Sequence, residues 1–124
     1  MRPHYLHRAV SLAALALVLW SASAPAPAMS LRELRALEKS DKKQGDLYVR
    51  YYLVGVMEGV LDAHAQLERQ GTTPTLCLRG RRLEPHMARN LFDGELRRNP
   101  ELYEADMPVQ LVMTQALLAA YPCE

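Results

Sequence analysis

From Asp46 to Gln70 the chain runs without a proline and repeats its apolar residues at helical steps, and this segment constrains everything around it. Val49, Leu53, Val56, Val60 and Leu67 fall on one stripe at mixed three- and four-residue spacing, with a gap around Ala63. Asp46 stands where its side chain can cap the start, and Gly71 where a left-handed residue can close the end. A second line of small residues, Gly55, Gly59 and Ala63, recurs every fourth position. Glycine inside a helix costs roughly 1 kcal/mol relative to alanine. Gly55 and Gly59 therefore predict a close backbone approach, from a neighbouring helix of the same chain in the first instance, or from a second copy.

Three further segments carry the same periodicity. Ser30-x-x-Glu33 has capping-box spacing, and Leu31, Leu34 and Leu37 follow it at every third residue, as far as Ser40. Lys42, Lys43 and Gly45 make a polar break. Glu84–Arg98 reads as a helix with Pro85 in its first turn and Met87, Leu91, Phe92 and Leu96 facing inward, ended by Asn99-Pro100. Asp106 can cap a last helix with Pro108 in its first turn, its buried face made by Val109, Val112, Met113, Ala116, Leu117 and Ala120. Between the second and third segments, Gly71–Arg82 is a loop. The expectation is an all-α, single-domain bundle of about four helices.

The N-terminus sets the compartment. Arg2 and Arg8 precede an apolar run, Ala9–Trp20, and a tail of small residues ending Ala26-Pro27-Ala28. That is the plan of a secretory signal peptide, residues 1–28, with cleavage before Met29 and a helical domain over 29–124. A membrane span needs about 18–20 apolar residues, which this run does not reach. Cleavage removes two of the fifteen lysines and arginines and leaves thirteen against fourteen acidic residues, a net charge near −1. Such a balance gives no general attraction to nucleic acid or to an anionic membrane. Cys77 and Cys123, an even pair in an exported chain, read as one disulfide. It would close a loop of about 46 residues and contribute roughly 4 kcal/mol in the chain-entropy model.

Catalytic patterns are missing. The sequence has no Gly-x-Ser-x-Gly elbow, no His-Glu-x-x-His pair and no glycine-rich phosphate loop. His64 and His86 are the histidines left after cleavage, and Glu58 and Asp62, four apart, read as solvated charge rather than metal ligands. No enzyme, cofactor or metal follows from this inventory. Two surfaces stand out as protein-binding candidates. Arg79, Arg81 and Arg82 surround Gly80 beside Cys77, where a disulfide would hold them still and lower the entropy cost of binding. Tyr48 and Tyr51, with Tyr52, form the other, since tyrosine is enriched at interfaces. A solvated loop and semi-buried packing are the plainer readings of these two groups.

The run Tyr52-Leu53-Val54-Gly55-Val56-Met57-Glu58-Gly59-Val60 resembles the signature helix of the Rap/Tai family, periplasmic immunity proteins against peptidoglycan amidases delivered by type VI secretion. Leu76-Cys77-Leu78 resembles the family's central cysteine segment, and Leu96-x-x-Asn99-Pro100-Glu101-Leu102 its helix end. Ala116-Leu117-Leu118-x-Ala120-Tyr121-Pro122-Cys123 resembles its closing block. Many members carry a second cysteine pair; here Leu37 and Tyr48 stand near those places. The resemblance implies an all-helical fold, often a homodimer, that binds a cell-wall amidase effector and blocks its active-site groove in the periplasm. A small periplasmic holdase chaperone of the acid-stress type is the alternative that the same size, export and single disulfide allow; it exposes apolar surface as pH falls.

Overall fold

The computed structural model describes residues 28–124. The expected signal peptide, residues 1–28, lies outside the described residues except for Ala28. Four helices follow in order: α1 (Leu31–Ser40), α2 (Gly45–Arg69), α3 (Pro85–Arg98) and α4 (Val109–Ala120). Among the described residues there is no strand, only two isolated antiparallel bridges, Ser30 with Pro108 and Leu76 with Pro122. Among the same residues, no helix is long and apolar enough to cross a membrane.

The capping box at α1 forms as expected. Glu33 N donates to Ser30 Oγ at 3.3 Å, and Ser30 N donates to Glu33 Oε2 at 2.7 Å. Backbone bonds then tie this end of α1 to the segment before α4. Leu31 N reaches Met107 O at 3.0 Å, Arg32 N reaches Ala105 O at 2.7 Å, and Val109 N reaches Met29 O at 2.9 Å. These bonds use amide groups that a helix start would otherwise leave without partners. Leu31 and Leu34 are buried, and Leu37 packs at the edge of the core.

The turn into α2 differs from the expected cap at Asp46. Asp41, which lies before the helix, satisfies the turn instead: its Oδ1 accepts from Lys43 N at 2.7 Å and Gln44 N at 2.9 Å. Those two amides hold the Asp41 carboxyl below its usual range. Asp46, already inside α2, pairs with Arg50 at 2.7 Å. Gly45 is buried against α1, and a Cβ there would collide with the carbonyl oxygen of Glu38. This glycine, rather than Gly55 or Gly59, is where two backbones meet.

The buried line of α2 is Val49, Leu53 and Met57, a strict four-residue step. Val56 and Val60 only pack at the edge, and Leu67 is 48 % exposed. The other helices cover α2 as far as Met57; beyond it, no residue of α2 is buried. Gly71 ends the helix with φ +91, left-handed as expected, while Thr72 N donates back to Leu67 O at 3.1 Å.

In α3 the innermost residues are Ala88, Phe92 and Glu95. Met87, Leu91 and Leu96 are half-buried rather than in the core. Met87 also serves the helix start, where Glu84 N lies 3.4 Å from its Sδ. In α4, Val109, Val112, Met113, Ala116 and Leu117 are each fully enclosed, as the periodicity predicts, but Ala120 is exposed. Pro108 is the residue before the helix, with extended backbone, and Asp106 does not cap it. Asp106 instead lies 3.6 Å from Arg32.

Two glycine substitutions are expected to move stability in opposite directions. Gly45→Ala forces a side chain into the α1 backbone and is expected to cost about 1–3 kcal/mol. Gly55→Ala adds a Cβ into space left open within the single chain and is expected to gain the monomer up to about 1 kcal/mol. Urea unfolding of the two variants measures both signs.

Candidate binding surface

The disulfide and the turn beside it form one unit. Cys77 and Cys123 are bonded, their Cα atoms 4.9 Å apart. Cys77 N donates to Tyr121 O at 2.9 Å, so a backbone bond and the Leu76–Pro122 bridge reinforce the covalent one. Leu78–Arg81 then reverses direction: Arg81 N donates to Leu78 O at 3.0 Å, with Arg79 at φ +52 and Gly80 at φ +77. Two successive left-handed residues are the pattern of a type I′ turn. For arginine this conformation costs roughly 1–2 kcal/mol, and it persists where the surroundings hold it. The Arg79 guanidinium lies 3.0 Å from the Glu124 carboxylate, an exposed pair on the solvent side of the turn.

The three candidate arginines therefore divide. Arg79 is turned onto its own chain terminus. Arg81 and Arg82 are exposed and make no ion pair among the described residues. Arg79 and Arg81 border a cleft of about 160 Å³ with Tyr121 and Ala120.

The tyrosines stand elsewhere. Tyr48 is 43 % exposed and its hydroxyl donates to Gln44 Oε1 at 2.6 Å. Tyr51, 71 % exposed, edges a groove of about 400 Å³ between α2 and α3 with Leu47, Val54 and Pro85. The cations of this groove are answered. Arg50 pairs with Asp46, and Arg89 Nε and Nη2 each donate at 2.7 Å, to Asp93 and Glu38. Burial disfavours the Arg89 charge, but those two carboxylates more than offset it and raise its pKa. Arg89 Nη1, 3.7 Å from Asp46, has no hydrogen-bond partner among the described residues.

A larger groove of about 580 Å³ lies between α3 and α4, lined by Met87, Leu91, Ala119 and Ala120 with His86 and Arg98. His86 and Asn90 border both this groove and the Tyr51 groove, so α3 forms the ridge between them. Gly55 and Gly59 face neither: both are exposed, and a Cβ at either meets nothing within 4 Å. The expected packing of this line inside the chain does not occur. Glu58 and Asp62 are exposed; His64 Nδ1 lies 2.9 Å from Val60 O, and His86 pairs with Glu84 at 3.3 Å.

One polar centre escapes sequence reading. Glu95 is 3 % exposed, yet its carboxylate accepts from Tyr103 Oη at 2.7 Å, Asn99 Nδ2 at 2.8 Å and Arg98 Nη2 at 3.0 Å. Burial pushes the Glu95 carboxyl up, but these donors outweigh it and hold it below its usual range. Burial together with the Glu95 carboxylate pushes the Tyr103 hydroxyl up to about 12. The network fixes the Asn99–Tyr103 corner, one of the segments that carry the family resemblance. Its one local sequence signal is the spacing of Glu95, Arg98 and Asn99 on a helix end; Tyr103 gives none.

The model of the Rap1a immunity proteins matches residues 28–123. This chain belongs to the Rap1a immunity protein family. No curated protein and no solved structure matches it. The match covers all four helices, both bridges and the disulfide, so the Rap1a pattern extends over nearly the whole described structure. An immunity protein works by engaging a protein effector, and the family match extends that class of partner to this chain.

Because Glu95 is held ionised below its ordinary pKa, its contribution to stability is complete above the unfolded value, about 4.3. That contribution is lost as pH falls through the lower folded value. Tyr103→Phe is expected to cost about 1–3 kcal/mol at neutral pH by leaving a buried carboxylate one donor short. Glu95→Gln is expected to flatten the acid side of the stability curve. Unfolding followed from pH 2 to 7 reads both effects.

Proposed function

We propose that this protein is a periplasmic immunity protein that binds a peptidoglycan amidase effector delivered by type VI secretion and blocks its active-site groove. The observation that carries the reading is the family match over residues 28–123. The Cys77–Cys123 bond supports it, since disulfides persist in oxidising compartments such as the periplasm. The basic, apolar and small-residue order of residues 1–28 supports export with cleavage near Ala28, and a mature domain over 29–124. Function by binding is supported by a surface that offers exposed arginines, tyrosines and grooves of mixed lining to a partner.

In this reading the rigid turn carrying Arg81 and Arg82 contacts the effector. Arginine forks suit carboxylates on a partner. Tyr48 and Tyr51 supply aromatic surface on the other side of α3. The exposed Gly55–Gly59 line of α2 serves a homodimer: with open space beside each glycine, a second copy can bring its backbone close there.

The test is protection. The open reading frame adjacent to this gene is expressed in a bacterial periplasm, alone and together with this protein, and lysis is followed. Lysis by the neighbour alone and survival on co-expression are expected. A harmless neighbour, or lysis unaffected by this protein, would overturn the immunity reading.

A further inference from the structure

We propose that the groove between α3 and α4, with the arginine turn that adjoins it, receives an acidic segment of the effector carrying an apolar side chain. The proposal rests on the immunity reading and names the surface and the chemistry of its partner.

The first support is a mismatch between pattern and burial. Met87, Leu91 and Ala120 occupy positions that helical periodicity assigns to the core. The fold leaves Met87 and Leu91 half-buried and Ala120 exposed, all three on the wall of the same groove. Leu91 packs at the edge of the core, while Met87 and Ala120 keep apolar surface that the free protein leaves open. Small side chains at Ala119 and Ala120 keep the α4 wall low, and α4 contains no charged residue at all. An inserted apolar side chain would meet no buried charge there.

Charge decides what kind of segment this is. Ala120 lines both this groove and the cleft of the arginine turn, so the two surfaces adjoin at that residue. Two carboxylates of the region, Glu95 and Glu124, already have an arginine partner. Glu95 holds Arg98, Tyr103 and Asn99, Glu124 holds Arg79, and Glu84 lies 3.3 Å from His86. Arg81, which lines that cleft, and Arg82, next to it in sequence, make no ion pair among the described residues, in a mature chain whose total is close to neutral. A basic partner segment would be repelled here and an acidic one drawn in. The α2–α3 groove lacks this bias, because Asp46, Glu38 and Asp93 answer its two arginines. The disulfide and the Leu76–Pro122 bridge fix the turn before any partner arrives, so little ordering is left to oppose binding.

The experiment uses the purified mature protein and the purified enzyme encoded by the adjacent reading frame, with association and dissociation followed by biolayer interferometry. Ala119 is exposed, so Ala119→Glu is expected to keep the wild-type melting temperature, with Ala119→Ser as the control. Ala119→Glu is expected to weaken binding by at least about thirtyfold, the scale of an interface hot spot. Arg81→Glu with Arg82→Glu is expected to slow association about tenfold, and wild-type affinity to fall with added salt.

Wild-type affinity in Ala119→Glu would overturn the groove assignment while leaving the immunity reading intact, and loss of affinity in Tyr51→Ala instead would place the contact between α2 and α3. Binding indifferent to salt and to the arginine reversals would overturn the acidic segment. An Ala119→Glu variant that turned a dimer into a monomer, by sedimentation of the protein alone, would give the groove to a second copy and overturn the proposal. No binding by the wild type would remove the immunity reading and this proposal together.

Discussion

The structure depends on α4 being fastened at both ends. At its start, Ser30 bridges Pro108, and Val109 N donates to Met29 O. At its finish, Leu76 bridges Pro122 and Cys77 is bonded to Cys123. Proline suits both positions, since it keeps the backbone extended and ends or precedes a helix without needing its own amide. Between these clips, Val109, Val112, Met113, Ala116 and Leu117 are fully enclosed. Burial of each of the larger side chains contributes about 1.5–3 kcal/mol relative to exposure. The helix with no charge of its own is the post around which α2 and α3 pack.

The surface inherits its layout from those clips. The loop after α2 cannot drift, because its middle is bridged and bonded to the chain end. The strained Arg79 conformation is held by that anchoring. All three arginines are exposed: Arg79 pairs with Glu124, while Arg81 and Arg82 make no ion pair among the described residues. At the other corner, Glu95 gathers Arg98, Asn99 and Tyr103 and fixes the path from α3 to α4. A buried carboxylate with three donors is satisfied, and the low pKa that results keeps it charged under all but acid conditions.

Much of the fold was legible in the sequence because it is local. Capping of α1 by Ser30 and Glu33, the left-handed end at Gly71, Pro85 in the first turn of α3 and the inner face of α4 all depend on residues a few positions apart. Misreadings arose where a nearby residue took the expected role or where the reach of another helix decided the outcome. Asp46 looks like a cap, but Asp41 satisfies the turn amides and Asp46 is drawn to Arg50 and Arg89. Gly55 and Gly59 look like close-packing positions, while the crossing falls at Gly45. Leu67 shares a helical face with Val60, yet α2 outruns the helices that cover it, so Leu67 is exposed. Periodicity reports which face of a helix is apolar and carries no information on how far along that face a neighbour reaches.

The sequence by itself determined four helices, their order and one disulfide, since these follow from turn chemistry, helical spacing and cysteine count. Family membership was also legible there, in short motifs whose order survives along the chain. Only the tertiary structure decided which apolar residues the core leaves at the surface and which charges have no partner. Met87, Leu91 and Ala120 on a groove wall, and Arg81 and Arg82 beside an occupied Arg79, are set by where helices and loops meet. That meeting is fixed by contacts between residues dozens of positions apart, and no local spacing encodes it.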